Sequence, residues 1–278
     1  MIPDKLYLQA VFYSKFHRFI DFDHPKSFNE KLQWLKLYDR DPEYITMVDK
    51  YTVKDYVAER IGEKYVIPTL GAWQEAETID FDALPDRFVL KCNHDSGGIV
   101  ICKNKEALDR IQTVSFLSAQ LNNNGFWYGR EWPYKNVRPC IIAENYLEDP
   151  DVGELRDYKF FCFNGKVRIF KIDFGRFIEH HANYYDREGK LLTLGEISFP
   201  PIPEFDISIP DKAKLEEMIA LAEYLAKDIA FLRVDFYLVD DSVFFGEMTF
   251  YPASGFGVLT SDEWDRTLGD WLELPDKR

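Results

Sequence analysis

The sequence is short of positive charge: 34 Lys and Arg stand against 48 Asp and Glu, which leaves a formal net charge of −14. Dedicated nucleic-acid binders need a basic footprint, so this balance argues against a nucleic-acid partner, although a few cations focused in one cleft could still hold a small anion. Long apolar runs are absent, and the opening stretch MIPDKLYLQAVFYSKFHRFIDFD is interrupted by charges. We therefore expect neither a signal peptide nor membrane insertion, and a cytoplasmic protein.

Cysteine is also scarce, and its four positions follow no CxxC or Cys/His metal-binding spacing. Each lies in an apolar or strand-like stretch, so we expect buried, reduced thiols at Cys92, Cys102, Cys140 and Cys162. Aromatic residues, in contrast, are abundant at 16%, within a hydrophobic fraction of 46%. A chain of 278 residues with this composition is expected to be globular, with a substantial core in one large or two modest domains.

Helical patterns come first along the chain. Ser27 and Glu30 have the spacing of a capping box, and Thr46 is predicted to open a second helix that ends at Gly62. Asn104 is predicted to cap a third helix. A long helix is predicted over 211–229, and the predicted strands are 87–92, 98–102, 140–144, 158–162, 166–170, 231–239 and 243–250. Strands in hairpins with helices inserted between them predict an α+β fold with antiparallel sheets.

The last predicted hairpin is rich in charge. One face of its first strand carries Arg233, Asp235 and Tyr237, and a three-residue loop at 240–242 would place Asp235 opposite Glu247. Strict alternation predicts that one face of the second strand carries Val243, Phe245, Glu247 and Thr249. Facing carboxylates repel each other, and a divalent cation such as Mg²⁺, shared with substrate phosphates, would remove that cost. The alternative is a solvated polar face in which Arg233 neutralises one acid, and a two-residue loop would offset the two acids.

A second polar stretch follows the strand that ends near Lys91. The loop Ser96-Gly97-Gly98 could close backbone N–H groups, together with the Lys91 ammonium, over a polyphosphate. No GK[ST] sequence follows, so this is not a P-loop, and an ordinary polar hairpin tip is the alternative.

A third stretch is the apolar strand that runs into Glu144-Asn145. It resembles a segment whose backbone and carboxylate contact a flat, nitrogen-rich ring. A strand end leaving the core is an equally simple interpretation.

The order of these pieces resembles the ATP-grasp superfamily, and more closely the TupA-like ATP-grasp family of bacterial surface-polysaccharide gene clusters. The matching pieces are Asp49-Lys50, Lys91 with its Gly loop, 142–147, 156–160, 233–236 and 246–252, and the similarity covers residues 25 to 260. The resemblance implies an ATP-grasp fold in which two lobes with antiparallel sheets clasp ATP, preceded by a reduced helical N-terminal region. The implied division is 1–75 for the helical region, 76–146 for the small lobe and 147–278 for the large lobe.

The resemblance also implies roles for single residues. In the nucleotide site it places Lys50, Lys91 and Lys159 on phosphates, Ser96, Gly97 and Gly98 in a loop over them, Glu144, Asn145, Tyr146 and Leu147 at the adenine, and Asp157 at the ribose. It places Asp235 and Glu247 on Mg²⁺ and makes Arg233 and Lys91 the catalytic cations. Thr249 stands where many ATP-grasp ligases have Asn, which leaves a second metal position open. Arg176 could contact a phosphate or pair with local acids, and Ser254-Gly255 could bind a substrate carboxylate or form a plain turn.

The activity implied by the resemblance is ATP-dependent carboxylate–amine ligation through an acyl phosphate, with ATP and Mg²⁺. The family setting suggests a uronic or related sugar acid as one partner and an amino acid or small amine as the other. Two alternatives stay open: a sugar kinase on the same fold, and a non-catalytic ATP- or sugar-binding module of a polysaccharide assembly system. A glycosyltransferase, suggested by the gene-cluster setting alone, is the weaker interpretation, because its usual signature, a DxD metal pattern on a strand-end loop, is not evident.

Overall fold

The computed structural model describes residues 2–95, 97–149, 155–175, 179–204 and 209–277. Its helices are α1 (Asp4–Phe16), α2 (Phe28–Tyr38), α3 (Glu43–Val48), α4 (Val53–Ile61), α5 (Arg110–Leu121), α6 (Phe126–Gly129), α7 (Lys212–Leu225) and α8 (Asp262–Trp271). Its strands are β1 (Thr69–Trp73), β2 (Phe88–Cys92), β3 (Ile99–Cys102), β4 (Ile141–Asn145), β5 (Asp157–Phe163), β6 (Lys166–Phe174), β7 (His181–Asp186), β8 (Phe231–Val239) and β9 (Ser242–Thr249). Short 3₁₀ helices lie at Glu63–Tyr65, Ala76–Thr78, Lys105–Ala107, Trp132–Asn136 and Pro252–Gly255.

The chain folds as two compact units. The large unit combines Met1–Asp41 with Asp149–Arg278, and the small unit is Pro42–Glu148. The helices of the N-terminal region are therefore shared, with α1 and α2 in the large unit and α3 and α4 in the small unit. The lobe boundaries at residues 75 and 146 stay a prediction.

The small unit is built on a four-stranded antiparallel sheet in the order β1-β4-β2-β3. Leu90 and Ala143 point from one face of this sheet into a core that also contains Leu117 of α5. Strand alternation places Lys91 and Glu144 on the opposite face. The predicted hairpin of β2 and β3 is confirmed.

The large unit is built on a five-stranded antiparallel sheet in the order β7-β6-β5-β8-β9. One face is apolar and packs against α7, where the Cys162 Sγ lies 3.7 Å from the Ala222 carbonyl. At one end of the other face, Phe28 of α2 and Trp271 of α8 pack on Phe163, with ring centroids 5.7 and 5.6 Å apart. The rest of that face carries charged side chains and is called the polar face below.

Two hairpins of the large sheet, β5–β6 and β8–β9, begin at a two-residue turn and then shift register by one residue. The turns are Asn164-Gly165 and Asp240-Asp241, all four residues having positive φ, as in hairpin turns of this length. A bulge at Arg168 restores the pairing of Lys159 with Lys171 and of Asp157 with Asp173. A second bulge, at Gly246, separates the pairs 236/245 and 235/247.

The Gly246 bulge corrects the predicted loop while preserving its consequence. The loop has two residues rather than three, yet Asp235 still lies opposite Glu247 because the bulge supplies the missing residue. Alternation is broken at the same point, so Val243 and Phe245 lie on the apolar face and are buried, whereas Glu247 lies on the polar face. The prediction that these residues share one face was therefore wrong.

The predicted helices differ from the structure mainly at their ends. Ser27 forms the predicted capping box with Glu30. The helix expected to open at Thr46 is broken between α3 and α4, although Gly62, with φ 109°, does end it. Asn104 caps a 3₁₀ turn, and α5 begins only after Asp109. The helix predicted over 211–229 is shorter, running from Lys212 to Leu225.

All four thiols are free and buried, as predicted. Burial raises the pKa of both Cys92 and Cys140 to about 12. Of the helices in the described part of the chain, none is long and apolar enough to cross a bilayer.

Candidate functional site

The centre of the small unit's polar side is Glu144, whose carboxylate is shared by two lysines. Its Oε1 lies 2.6 Å from the Lys54 Nζ, and its Oε2 pairs with Lys91. Lys54 also donates to the Ile67 carbonyl at 2.6 Å. Glu144 and Lys54 are buried, with only 7% and 10% of their side chains exposed, and Lys91 is 16% exposed.

The protonation of this triad follows from burial and mutual attraction. Burial raises the pKa of Glu144, but Lys91 and Lys54 lower it more, so its net pKa lies below the ordinary value and the carboxylate is ionised at neutral pH. Burial lowers the pKa of Lys54, and Glu144 only partly restores it. The arrangement holds the Lys91 ammonium at a fixed position at the end of β2.

The loop after Lys91 is tied down from both ends. The Asn93 side chain donates to the Asp49 Oδ1 at 2.8 Å and accepts from the Cys140 N–H at 2.8 Å, so it joins the α3–α4 turn to β4. Lys50 donates its backbone N–H to the Asn93 carbonyl at 3.1 Å and its Nζ to the Asp95 carbonyl. Lys50 therefore contacts the Gly loop, whereas Lys54 joins Lys91 at Glu144.

The two glycines of the loop are under different constraints. A Cβ on Gly98 would lie 2.8 Å from the Cys92 Cβ. The Gly98 N–H donates to the Asp95 Oδ1 at 3.0 Å, which holds the loop in this conformation. A Cβ on Gly97 would meet nothing within 4 Å. Gly98 is thus required by packing, and Gly97 is open to a ligand. Ser96, predicted in the same loop, lies outside the described residues.

The residues predicted at the adenine follow Glu144 out of β4. Asn145 is the last residue of the strand, and Leu147 is half-buried. The Tyr146 ring lies 4.3 Å from the Arg87 guanidinium, and its hydroxyl donates to the Glu148 Oε1 at 3.0 Å. The Glu144 carboxylate itself is engaged by the two lysines, and the adenine contact of this segment stays a prediction.

In the large unit, eight charged side chains form a connected polar cluster. Its members are Asp157, Lys159, Lys171, Asp173, Glu196, Arg233, Asp235 and Glu247. Among the described residues, these ion pairs join five carboxylates and three cations, and Asp157, Asp173 and Glu247 take part in further interactions.

At one end of the cluster, Arg233 bridges the two facing acids. Its guanidinium donates to both oxygens of Asp235, each at 2.7 Å, and to the Glu247 Oε1 at 2.8 Å. Burial lowers the pKa of Arg233, but Asp235 and Glu247 raise it by more than burial lowers it, so the guanidinium stays charged. Asp235 is 1% exposed, whereas 36% of the Glu247 side chain is exposed. The repulsion expected across this ladder is thus offset by Arg233.

Lys159 links this end to the middle of the cluster. Its ammonium lies 2.8 Å from Asp235, 3.0 Å from Asp157 and 3.4 Å from Asp173. Burial lowers the pKa of Lys159, and the carboxylates raise it above its ordinary value. Lys159 and Asp157 are therefore brought together with Asp235, and their predicted contacts with phosphate and ribose stay predictions.

The far end of the cluster contains residues to which the sequence assigned no role. Lys171 lies 3.4 Å from the Asp173 Oδ1 and donates to the Glu196 Oε1 at 2.8 Å. The buried Tyr184 hydroxyl donates to the same oxygen. Alternation along β6 could have indicated Lys171 and Asp173, but only with the Arg168 bulge known.

The loop predicted to bind a substrate carboxylate is held in an unusual conformation. Ala253, Ser254 and Gly255 have φ of 47°, 53° and 61°, a left-handed run that costs strain at the two non-glycine residues. Gln33 and Lys36 of α2, both fully buried, donate to the Ser254 carbonyl at 3.1 and 2.7 Å.

The N–H of Ser254 donates to the Tyr251 carbonyl at 2.8 Å, so this donor is used within the loop. The predicted role of Gly255 stays a prediction. Arg176, the other predicted substrate residue, lies outside the described residues.

Sequence reasoning missed Lys54, although a signal was present. Within α4 it lies beside Val53 and one turn from Val57, both buried, so the amphipathic pattern places a lysine at the edge of the apolar face. A cation at such a position requires a buried counter-ion. The partner, Glu144, is 90 residues away and cannot be read from the pattern.

The acids of the polar face carry the oxygen donors that Mg²⁺ prefers. Among the described residues, no group of three or more His, Cys, Asp or Glu side chains could hold a metal ion. Asp235 and Glu247 offer carboxylates, and the Thr249 hydroxyl lies 3.4 Å from Glu247. Mg²⁺ commonly takes one or two carboxylates and completes its shell with phosphate and water. The donor set therefore fits a Mg²⁺ that arrives with phosphates.

A family model described as TupA-like ATPgrasp matches residues 30–273. A comparison with curated protein sequences gave no match.

Similar solved structures include three enzymes. An N5-carboxyaminoimidazole ribonucleotide synthetase in complex with ADP is 14% identical, with a TM-score of 0.48 over 80% of this chain and 50% of that chain. D-alanine–D-alanine ligase from Bacillus anthracis complexed with ATP is 16% identical, with a TM-score of 0.42 over 81% of this chain and 56% of that one. D-alanine–D-alanine ligase from Helicobacter pylori is 12% identical, with a TM-score of 0.45 over 88% and 69%. This chain spans only 50% and 56% of the length of the first two.

Proposed function

Because the chain belongs to the TupA-like ATP-grasp family, we propose that it is an ATP- and Mg²⁺-dependent ligase that joins a carboxylate to an amine. The observation that carries this proposal is the facing pair Asp235 and Glu247, bridged by Arg233 within the polar cluster. Arg233 offsets the repulsion between these facing acids in the structure, and a Mg²⁺ that arrives with phosphates would add further positive charge beside them.

ATP supplies the phosphoryl group that makes the acid's carboxylate reactive, with ADP leaving, and the amine nitrogen then displaces phosphate and releases a proton to give the amide. Asp235 and Glu247 would hold Mg²⁺, and Arg233 would supply a fixed positive charge beside them. Lys159 holds Asp235 in place, since its ammonium is shared by three carboxylates. These residues contribute charge and position rather than a covalent nucleophile.

In the small unit, Lys91 and the Gly97-Gly98 loop are the proposed phosphate contacts. Glu144 and Lys54 support this role, because Glu144 pairs with Lys91 through one oxygen while Lys54 holds the other oxygen, which fixes the position of the Lys91 side chain. Lys50 supports the loop through the Asp95 carbonyl. Asp157 and 144–147 are the proposed ribose and adenine contacts.

The substrates follow from the resemblance alone. We propose a uronic or related sugar acid as the carboxylate and an amino acid or small amine as the nucleophile, in the synthesis of a capsule or surface polysaccharide by a cytoplasmic enzyme. Fold-level analogy supports this choice.

The test is ³¹P NMR of the protein with Mg-ATP, a panel of uronic acids, and hydroxylamine as a generic amine. ADP together with a hydroxamate is the expected result. Asp235→Asn should abolish the formation of ADP and hydroxamate, because the pair Asp235 and Glu247 loses one of its two negative charges while the side chain keeps its shape. Asp240→Asn is the matched control, since it lies in the turn of the same hairpin and Asn tolerates its positive φ.

Two other results would redirect the proposal. A stable sugar phosphate with no amine requirement would identify a kinase. ATP binding without turnover on any acid of the panel would contradict the ligase proposal and favour a binding module.

A further inference from the structure

His94 is a buried histidine in the loop of the small unit that is proposed to cover the phosphates. It lies between Asn93 and Asp95, and only 2% of it is exposed. The backbone closes the loop beneath it, since the Cys92 N–H donates to the Gly98 carbonyl at 2.7 Å. His94 is therefore fixed at the base of the loop.

Each nitrogen of the His94 ring lies close to an oxygen that can only accept a hydrogen bond. Nε2 is 2.8 Å from the backbone carbonyl of Asn123, just after α5, and Nδ1 is 3.2 Å from the side-chain Oδ1 of Asn93. The oxygen of a peptide or of a side-chain amide has lone pairs and no proton. Both ring nitrogens therefore face acceptors.

The amide of Asn93 cannot be turned round to offer a donor to the ring. Its Oδ1 accepts from the Cys140 N–H at 2.8 Å, and its Nδ2 donates to the Asp49 Oδ1 at 2.8 Å and to the Arg138 carbonyl at 3.0 Å. Exchanging the two atoms would place an NH₂ group against an N–H, and an oxygen against two acceptors. The oxygen that faces His94 is thus identified by three other contacts.

The two acceptors distinguish the charged ring from the neutral one. A neutral imidazole has one N–H, so it would leave a buried lone pair facing one of the two oxygens, whereas the imidazolium donates to both. Burial by itself opposes a charge on the ring. Two features offset burial: both oxygens accept from the charged form, and the Asp49 carboxylate polarises the Asn93 amide so that its oxygen is a stronger acceptor.

The charged groups around the ring come from three segments of the small unit. They are Asp95 in the loop itself, Asp49 and Lys50 in the turn between α3 and α4, and Arg138 before β4. The segment 122–125, which faces Nε2, is Asn-Asn-Asn-Gly and carries no charge. The thiols of Cys92 and Cys140, with pKa values of about 12, are neutral. Among these described residues the acids and bases balance, so the second proton of His94 decides the local charge.

We propose that His94 is an imidazolium that positions the phosphate loop, because its two N–H groups join the loop to the Asn93 amide and to the end of α5. This inference rests on the proposed nucleotide site and adds to it a positioning residue with a buried positive charge. When the ring loses one proton, the Nδ1 lone pair faces the Asn93 oxygen and the loop is released. A polyphosphate then meets a less ordered loop that carries one positive charge fewer, and it binds more weakly.

The first measurement is the protonation state of the ring. Long-range ¹H–¹⁵N NMR spectra of protein labelled with ¹⁵N-histidine distinguish an imidazolium, protonated on both nitrogens, from either neutral tautomer. The His94 signals are assigned by their absence in His94→Gln and, without that variant, by nuclear Overhauser contacts to the Asn93 side-chain amide. His24, exposed in the large unit, is the matched control. We expect both nitrogens of His94 to be protonated at pH 7.5, where an exposed histidine is mostly neutral, and a singly protonated ring at that pH would overturn the inference.

The second measurement is the Kd for Mg-ATP at pH 7.5 and pH 9.0, by isothermal titration calorimetry, for wild type, His94→Gln and His24→Gln. Both pH values lie above the last ionisation of the phosphate groups, so the charge of the ligand does not change. His94→Gln keeps every other titratable group but cannot donate to both oxygens. Between the two pH values, wild type and His24→Gln should therefore lose about 10-fold more affinity than His94→Gln, the scale of leaving one buried acceptor without a donor. An equal pH dependence in wild type and His94→Gln would overturn the inference.

Failure of this inference is distinguishable from failure of the ligase proposal. A doubly protonated ring with ATP binding that does not respond to its loss would leave the nucleotide site and remove the positioning role of His94. No ATP binding by wild type at pH 7.5 would contradict the ligase proposal and with it the role of the loop, whatever the ring signals show.

Discussion

Lys54 offers the sharpest test of the small-unit site, because it was recognised only in the structure. In Lys54→Met the side chain keeps its length and apolar stem but loses its charge. Glu144 then keeps Lys91 and loses its contact at 2.6 Å, and the Ile67 carbonyl loses its donor. We expect the variant to fold with lower stability.

The size of the loss follows from three contributions. Removing one partner of a buried ion pair typically costs about 3–5 kcal/mol. Two features reduce this figure: Lys91 still neutralises Glu144, and the desolvation that lowers the pKa of Lys54 is recovered when the charge is removed. We therefore expect a loss of about 2 kcal/mol, close to the cost of leaving a buried acceptor without a donor.

The assay is urea unfolding of wild type and variant, followed by circular dichroism. Lys64→Met is the matched control, since Lys64 is exposed in the same unit and its loss should change stability by less than about 0.5 kcal/mol. The double variant Lys54→Met/Glu144→Gln should lose less than the sum of the single variants, because the two residues interact directly.

The pH dependence gives a second readout with a defined sign. The folded-state pKa of Glu144 lies below its ordinary 4.5, so its contribution to stability is present above pH 4.5 and is lost as the pH falls through the lower, folded value. Removing Lys54 raises that folded pKa. The stability difference between wild type and Lys54→Met should therefore shrink as the pH falls below 4.5.

Two results would refute this reasoning. The first is a Lys54→Met variant as stable as the Lys64→Met control. The second is a stability difference that does not change between pH 7 and pH 3, which would mean that Glu144 does not sense Lys54.

Three further predictions concern the loop, a helix cap and the thiols. Gly98→Ala should lower stability by about 1–3 kcal/mol because its Cβ would clash with Cys92, whereas Gly97→Ala should leave the melting temperature unchanged but weaken ATP binding; equal stability of the two variants would contradict the packing argument. Asp211→Ala removes the N-cap of α7 and should lower stability by about 1 kcal/mol in urea unfolding, whereas unchanged stability would show that the side-chain cap does not form in solution. Cys92 and Cys140, with pKa values of about 12, should react with iodoacetamide at pH 8 only after unfolding, and rapid labelling of the native protein would show that they are not buried.

The sequence indicated the class of fold because its signals are local. Asn164-Gly165 forms the two-residue turn that it predicts, and Ser27 with Glu30 forms the capping box. Such signals depend on backbone conformations that two to four residues determine by themselves. The ordered motifs around Lys91 and Asp235 likewise indicated the family whose model matches residues 30–273.

The register of the large sheet could not be read in this way. The turn at Asp240-Asp241 by itself would offset Asp235 from Glu247, and only the bulge at Gly246 brings them face to face. A bulge inserts one extra residue into one strand of a pair and offsets every pair beyond it by one residue, so strict alternation along the strand does not predict it. The second bulge, at Arg168, acts in the same way on the neighbouring hairpin.

The sequence by itself determined the antiparallel hairpins, the capping box of α2 and the buried thiols. The tertiary structure decided which charges meet: Lys54 rather than Lys50 at Glu144, Lys159 among three acids, and Lys171 at Glu196. The reason is distance along the chain. Turns and caps are formed by neighbouring residues, whereas a buried charge is stabilised by a partner that only folding brings within about 3 Å.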